Sequence, residues 1–353
     1  MLDRSKRKRR RPLLYLKLLP PPLRKEFKHE GEHCLQEKMD VLLSLPQPEL
    51  FKTTVIPFLA NRNIIKSEAI LSNLHSIFYV AIFYHIWFLF GKWILFPPLV
   101  KWKLDYDQKH NVKKDEKTTS ERQAQHYKKK YTSLINQSSV HLISLLQSIV
   151  VLYYSLKFLL DPKASAEPYQ TSHSRVFTEN RDTQVICIFA IGYFVWDIYI
   201  STMYSTFPFV VHGIISTVVF CIGLKPYIQY YAPVFLMFEL SNPSLNFRWF
   251  GIKFLPQKSK FCSLLLLLNN LTLMVVFFAA RIAWGWFQIG KLCYDFYQVR
   301  NEPGFLVFDT IVILAGNFVL DILNVIWFST MVSVAAKVLK KGESVDKVTK
   351  NEQ

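Results

Sequence analysis

FCSLLLLLNNLTLMVVFFAARIAWGWF, residues 261–287, decides the fold class of this chain. The stretch is apolar along nearly its whole length, and a helix needs about 20 such residues to cross a hydrocarbon core of ~30 Å. Comparable stretches recur, and the predicted spans are 74–96, 140–160, 184–204, 207–224, 227–240, 261–287 and 306–337. Because 227–240 is short, we expect a short or re-entrant helix there, covered by protein neighbours. The sequence therefore predicts an all-α, polytopic membrane protein with about seven transmembrane helices.

The composition agrees with this fold class. Of the 353 residues, 51% are hydrophobic, and they include 29 Phe, 17 Tyr and 8 Trp. The formal net charge of +17 lies almost entirely outside the apolar stretches. Basic residues that flank transmembrane helices usually follow the positive-inside rule. The charge therefore needs no nucleic-acid partner, and a soluble globular class is excluded.

The polar segments divide the chain into parts. The predicted parts are a basic N-terminal tail at 1–73, a first transmembrane helix at 74–96, a basic cytosolic loop at 97–137, a membrane domain at 138–337 and a cytosolic tail at 338–353. Pro97 and Pro98 are expected to stop the first helix. Whether residues 41–66 add a further membrane segment is left open.

The charges of the connecting segments predict a topology. Segment 97–137 carries ten Lys/Arg against five Asp/Glu, and segment 241–260 carries four basic residues and no acidic ones. Segments 161–183 and 288–305 are close to neutral. With seven spans, the basic segments and the C-terminus fall on the cytosolic side. The same count puts the basic N-terminus on the opposite side, against its own charge, so its side stays open.

Several polar side chains lie within the predicted spans, where they are costly and usually face a cavity or a partner. Helical periodicity places Tyr193, Asp197 and Ser201 on one face. One interpretation is a polar-lined chamber that holds a lipid headgroup; the other is bonding between helices, for instance Arg281 with Asp321. The candidates for lipid binding are Tyr193, Asp197, Ser201, His212, Ser216, Glu239, Asn317 and Asp321.

Metal and cofactor signatures are weak. The five cysteines are scattered, with no metal-ligand spacing. His29, His33 and Cys34 could ligate zinc, but no fourth ligand is indicated. The sequence has no glycine-rich phosphate loop, nucleophile elbow or H-E-x-x-H motif. We therefore predict no metal and no cofactor.

Two motifs resemble those of a known family. GYFVWDIY at 192–199 and FELSNPSLNFRWF at 238–250 are similar to the third-span and E-L-S-(S/T)-P-F-L-N-x-R-W motifs of the TLC domain. The resemblance covers roughly residues 125–340. Translocating-chain-associated proteins, ceramide synthases and the neuronal ceroid lipofuscinosis cargo receptor share this domain. The resemblance implies a barrel of six helices, spans two to seven, around a central cavity. It also implies an extra preceding helix and residence in the endoplasmic reticulum.

Within the second motif we expect structural roles rather than chemistry. Pro243 should end the short helix and turn the chain. Arg248 and Trp249 should anchor the cytosolic boundary. The residues assigned to structure are Ser241, Pro243, Asn246, Arg248 and Trp249.

The chain departs from the ceramide synthase branch of that family. The branch carries a His-His pair in the fourth span, whereas His212 is followed here by Gly213. The branch also has an H-D-x-S-D element, where this chain reads F-E-L-S-N at 238–242. These losses argue against ceramide synthesis and group the chain with non-synthase members. No catalytic residue is assigned; His212 and Glu239 are the candidates for an acid/base pair.

Three functions follow from these observations. The first is lipid homeostasis through binding, sensing or moving a membrane lipid in the helix chamber. The second is a lipid enzyme, acyltransferase-like, with a reduced His/Glu centre. The third is a protein-cargo or translocon-associated factor, for which membrane proteins would be the partners. The first two require the polar groups of the chamber, and the third does not.

Overall fold

The structure is a computed structural model that describes residues 44–111, 120–256 and 259–341. Within these ranges it is helical and contains no β-strand. The basic run at the start of the chain, the zinc candidates His29, His33 and Cys34, and residues 342–353 lie outside the described residues.

Each predicted span overlaps one of the main helices, but α1, α2 and α7 extend well beyond the predicted bounds at one end. Their bounds are α1 Glu68–Lys109, α2 Glu121–Leu160, α3 Arg181–Tyr204, α4 Phe207–Gly223, α5 Tyr231–Leu236, α6 Asn242–Phe254, α7 Lys260–Val299 and α8 Val307–Lys341. A 3-10 turn at Met237–Ser241 joins α5 to α6. Shorter helices are Ile56–Asn61, Pro162–Ser165 and Ser172–Phe177. Residues 51–61 form one short helical stretch, far below the length needed to cross a bilayer.

The all-α membrane class is confirmed. Among the described residues, five helices are long and apolar enough to cross a membrane, namely α1, α2, α3, α7 and α8. α4 is apolar but shorter, at 17 residues. α5 and the 3-10 turn that follows it form a short buried segment, as expected for 227–240. The total of seven spans and the six-helix barrel stay predictions.

The stop at Pro97 and Pro98 was wrong, because α1 continues through both residues. A π-helical turn at Gly91–Leu95 directly precedes them. Proline lacks a backbone N–H and crowds the carbonyl one turn earlier, and a wider π turn changes which carbonyls need partners. The chain then resumes the α-helical conformation at Phe96.

The basic segments 97–137 and 241–260 are mostly helical where they are described. They hold the end of α1, the start of α2 and the whole of α6. Apolar residues hidden among the charges pack these elements together: Phe96, Val100, Leu104 and Ile135, against Phe250 and Phe254. The ring of Phe96 stacks on that of Phe250, with the ring centroids 5.9 Å apart. These two basic segments therefore meet at one end of the bundle.

The near-neutral segments 161–183 and 288–305 meet as well. The short helix Ser172–Phe177 is tied to the end of α7 by the ion pair between Arg175 and Asp295, with 2.6 Å between Nη2 and Oδ1. His173 also contacts Glu302. The two basic segments, which the charge count assigned to one side, thus contact each other, and so do the two near-neutral segments assigned to the other side.

The helices contact one another in a closed order. Along it, α2 contacts α3, α3 contacts α4, α4 contacts α8, α8 contacts α7, α7 contacts α6, and α6 returns to α2. α1 packs outside this order, against α2 and α3. α5 contacts α2, α3, α4 and α7. This arrangement places the 3-10 turn and the middle of α7 around a common interior.

Candidate functional site

A cavity lies among α3, α4, α5, α7 and α8. Its empty volume, counting the open mouth, is about 690 Å³. Most of its wall is apolar, including Phe194, Val219, Phe220, Ile228, Phe235, Leu236 and Leu320. Its polar lining residues are His212, Ser216, Glu239, Arg281, Asn317 and Asn324. Apolar pockets with a few converging polar groups are the usual form of a small-molecule site.

Arg281 is the most heavily bonded polar residue of the cavity. It lies in a π-helical turn of α7, Phe278–Ala283, and is 6% exposed. Its Nε donates to the carbonyl oxygen of Phe238 and to Oγ of Ser241, both at 3.0 Å. Its Nη1 donates to Oδ1 of Asn324 at 3.3 Å. π turns inside α-helices are frequent at functional sites, and here the turn carries the guanidinium.

Asn242 bridges the two charges of the cavity. Its Oδ1 accepts a hydrogen bond from Nη2 of Arg281 at 2.7 Å. Its Nδ2 donates to Oε2 of Glu239. Glu239 and Arg281, each 6% exposed, also attract each other directly through their charges. The result is a buried carboxylate and guanidinium that share one neutral amide.

His212 lines the cavity from α4. Its ring meets those of Phe194 and Trp327 edge-on, with centroids 5.7 Å apart in both pairs. Ser216 lies one turn further along α4 and also lines the cavity. Asn317, on α8, donates through Nδ2 to the carbonyl oxygen of Ile313 at 2.9 Å. Four of the sequence candidates, His212, Ser216, Glu239 and Asn317, thus share one cavity.

The other four candidates lie outside its lining. Tyr193 packs edge-on against Tyr84 of α1, with ring centroids 5.5 Å apart. Oγ of Ser201 donates to Oδ1 of Asp197 at 3.3 Å, so these two do share a helix face. That face meets neighbouring helices: Oδ2 of Asp197 lies 3.4 Å from where a Cβ would be on Gly213 of α4.

Asp321 is the remaining candidate, and its suggested partner was wrong. It is 1% exposed on α8 and faces Gly285 of α7. The ion pairs of the described residues do not include Asp321 with Arg281. Arg281 bonds instead to amide, hydroxyl and carbonyl oxygens, because the 3-10 turn brings these closer than α8 brings the carboxylate.

The motif at 238–250 forms a structural joint between α2, α6 and α7. Oγ of Ser241 accepts from Arg281. Asn246, 0% exposed, donates through Nδ2 to Oγ of Ser144 at 3.1 Å, and its Oδ1 accepts from Nδ1 of His141 at 2.7 Å. The ring of Trp249 stacks on His141 with centroids 4.2 Å apart. These contacts explain why serine, asparagine and tryptophan stand at these positions.

Pro243 acts differently from the expectation. It is the second residue of α6, a position where its missing N–H costs nothing. The backbone stays right-handed helical across Ser241 and Asn242, so the helical path changes from 3-10 to α without a turn in the chain. Arg248 is half-buried on α6. Its anchoring role at the boundary stays a prediction.

A second polar cluster, near the end of α7, was not found from the sequence. Asp295 is 0% exposed and accepts from Nε of Arg175 at 2.6 Å, and from Oη of Tyr231 at 2.5 Å. Oγ of Ser172 donates to it at 2.8 Å. The hydrogen bond to this carboxylate raises the pKa of Arg175 above its ordinary value. Arg175 and Ser172 come from the connecting segment 161–183, whose ordinary loop composition gave no signal.

No group of three or more His, Cys, Asp or Glu is placed to hold a metal ion among residues 44–111, 120–256 and 259–341. The described chemistry of the cavity is therefore that of one imidazole, one carboxylate, one guanidinium and several amides and hydroxyls.

Comparison with known proteins agrees with the motifs. A TLC domain family model matches residues 137–333. An uncharacterised TLC domain-containing protein of Schizosaccharomyces pombe is 32% identical over 195 residues, covering 54% of this chain and 63% of that protein. The chain thus spans less than two thirds of the length of this relative.

A second relative comes from Saccharomyces cerevisiae. Topoisomerase I damage affected protein 4 is 29% identical over 225 residues, covering 61% of this chain and 76% of that protein. No solved structure matches the chain. Because the family model covers more than half of the chain and includes both motifs, this protein belongs to the TLC domain family.

Proposed function

We propose that this protein acts in lipid homeostasis in the membrane of the endoplasmic reticulum, by binding, sensing or moving a membrane lipid. TLC domain proteins are typically membrane proteins linked to lipid biology. The observation that carries the proposal is the cavity, in which apolar walls lead to half-buried His212 and to buried Glu239 and Arg281.

The physical case rests on what such an interior costs. Ionisable groups at membrane depth are retained at a cost of about 2.5–3.5 kcal/mol or more, and they usually mark a function. An acyl chain that moves from the bilayer into a pocket with apolar walls exchanges one apolar surrounding for another, so its entry costs little. A pocket with apolar walls and a polar end therefore matches an amphiphile, with the chain along the walls and the headgroup at the polar end.

A lipid enzyme is the second candidate. His212 and Glu239 line the same cavity, and an imidazole with a carboxylate can move a proton to and from a substrate. The same observation supports both candidates, so the experiment must separate them. Turnover of a lipid in vitro would favour the enzyme, and binding without turnover would favour the first proposal.

The test is the lipid composition of a null strain rescued with wild-type protein, His212→Ala or Glu239→Gln at matched abundance. Asp197→Asn and His126→Ala are the controls. Asp197 lies outside the cavity lining, and His126 is exposed on α2. We expect the two cavity variants to fail in restoring the lipid class that the null strain changes, and the controls to restore it. Full rescue by the cavity variants would refute the proposal and favour a protein-binding role.

The proposed location and topology need a separate measurement. We propose a cytosolic C-terminus, because the basic segments 97–137 and 241–260 and the tail share one side in the charge count. A C-terminal epitope should co-localise with a marker of the endoplasmic reticulum. It should also be digested by protease added to sealed microsomes. A protected epitope would contradict the topology.

A further inference from the structure

The two charges of the cavity compensate each other, and this balance decides what headgroup can enter. Of the described residues that line the cavity, Arg281 and Glu239 are the pair with full charges, apart from the titratable ring of His212. They lie within one hydrogen-bonded unit, bridged by Asn242. The polar end of the cavity is therefore close to neutral.

Asn242 is the residue that keeps the balance one to one. An aspartate at this position would add a second carboxylate next to Glu239. Glu239 would also lose the hydrogen bond that it now accepts from Nδ2 of Asn242. The amide instead donates to Glu239 and accepts from Arg281, so each charge is paired without an excess.

An anionic headgroup would find no cationic side chain in the lining of this cavity that is available to pair with it. Arg281 donates through Nε, Nη1 and Nη2 to four protein oxygens. Burying an uncompensated charge costs several kcal/mol, whereas a hydroxyl or amide needs only hydrogen-bond partners. Such partners are available in Ser216, Asn317 and the ring of His212.

We infer that the cavity takes a lipid with an uncharged, hydrogen-bonding headgroup, bearing a hydroxyl or an amide, and excludes the charged phosphate of phospholipids. This inference rests on the proposed function and names the ligand class of the same site. It assigns Asn242 and Glu239 as the residues that determine specificity.

The experiment uses the full-length protein in nanodiscs and three photoactivatable probes with matched acyl chains. The probes are a diacylglycerol, the phosphatidic acid with the same glycerol and chains, and a long-chain primary amine. Cross-linked peptides are mapped by mass spectrometry. We expect the diacylglycerol to label peptides of α4 and α8 about tenfold more than either charged probe, a factor that corresponds to about 1.4 kcal/mol.

Glu239→Gln gives the matched variant, because it leaves the guanidinium uncompensated. Labelling by the phosphatidic acid should rise in this variant and stay unchanged in Glu167→Gln, whose side chain is exposed outside the cavity. Equal or stronger labelling of the wild-type cavity by a charged probe would overturn the inference but leave lipid binding intact. A wild-type cavity labelled by none of the three probes would overturn the proposed function itself. The comparison of probes on wild type needs no variant to fold.

Discussion

The side chain of Arg281 joins three helical elements within the membrane domain, where a buried charge is costly. Its guanidinium joins the π turn of α7 to the carbonyl of Phe238, to Asn242 and to Asn324 of α8. Its plane also lies over the ring of Phe277, with the guanidinium carbon 5.0 Å from the ring centroid. Removing it would leave several buried oxygens without a donor, together with an uncompensated Glu239.

Arg281→Gln is expected to lower the free energy of unfolding by about 3–5 kcal/mol, the usual cost of breaking a buried charge pair. The measurement is the thermal unfolding midpoint of the purified protein in detergent, by fluorescence-detected size exclusion. Arg300→Gln is the control, because Arg300 is exposed and bonds only within its own helix end, to the carbonyl of Tyr297 at 2.5 Å. Equal midpoints for both variants would show that the guanidinium does not hold the cavity together.

The sequence predicted which residues belong to the candidate site better than it predicted the partners of those residues. The positions of polar residues within apolar spans singled out His212, Glu239 and Asn317, and all three line one cavity. Periodicity also placed Asp197 and Ser201 on one face, which their hydrogen bond confirms. Helical periodicity shows which residues share a face of a helix, but it does not show what that face contacts. It therefore could not show that the face of Asp197 and Ser201 meets other helices rather than the cavity.

At the scale of elements, close helix contacts depend on small residues. A Cβ on Gly192 of α3 would lie 2.6 Å from Cβ of Val80 and 2.9 Å from the carbonyl oxygen of Ile77, both on α1. Backbone cannot move aside as a side chain can, so the contact between α1 and α3 requires glycine there. Gly290 on α7 has nothing within 4 Å of its Cβ position.

Gly192→Ala should therefore separate α1 from α3 and cost about 1–3 kcal/mol, as overpacking usually does. Gly290→Ala should leave stability unchanged or raise it slightly, because alanine favours a helix over glycine by about 1 kcal/mol. Unfolding midpoints of the two variants, measured side by side, check both directions. A Gly192→Ala protein as stable as the wild type would mean that the two helices do not pack this closely.

The cluster around Asp295 gives a second prediction for elements. Arg175→Gln should destabilise the protein by about 3 kcal/mol, because it leaves a fully buried carboxylate without its cation. Adding Asp295→Asn removes that charge and should restore part of the loss. A double-mutant cycle of unfolding free energies measures this coupling. Additive losses, with no recovery in the double variant, would contradict a direct ion pair.

Element positions were predicted well where hydropathy governs them and poorly where charge hides it. The predicted spans 184–204 and 207–224 differ by a few residues from α3 and α4. α6 was taken as a connecting segment because Arg248 and Lys253 dominate its composition. Its apolar side, with Phe250 and Phe254, packs on α1 and α2. Whether such a segment forms a packed helix depends on its contacts with elements that are distant in the sequence. Hydropathy along the chain carries no information about those contacts.

At the scale of the whole molecule, the charge pattern and the packing agree. Basic segments gather at one end, with the cluster of Phe96 and Phe250, and near-neutral segments gather at the other, around Asp295. The cavity lies between these ends, closed off by Ile228 and Tyr231 on the near-neutral side. Ile228 adopts a φ of 57°, a left-handed conformation that is costly for a β-branched residue. We propose that a lipid occupies that interior.

The most direct test is to purify the full-length protein in mild detergent and to identify its retained lipids by mass spectrometry. Ala232→Phe is the comparison, because Ala232 lines the cavity and a phenyl ring there would fill it. Gly223→Val serves as a second filling variant, since a Cβ at Gly223 meets only Sγ of Cys187, at 3.8 Å. We predict that wild-type protein retains an uncharged lipid that both filling variants lose while they stay folded and monodisperse. The same lipids in the same amounts on all three proteins would contradict a lipid in the cavity.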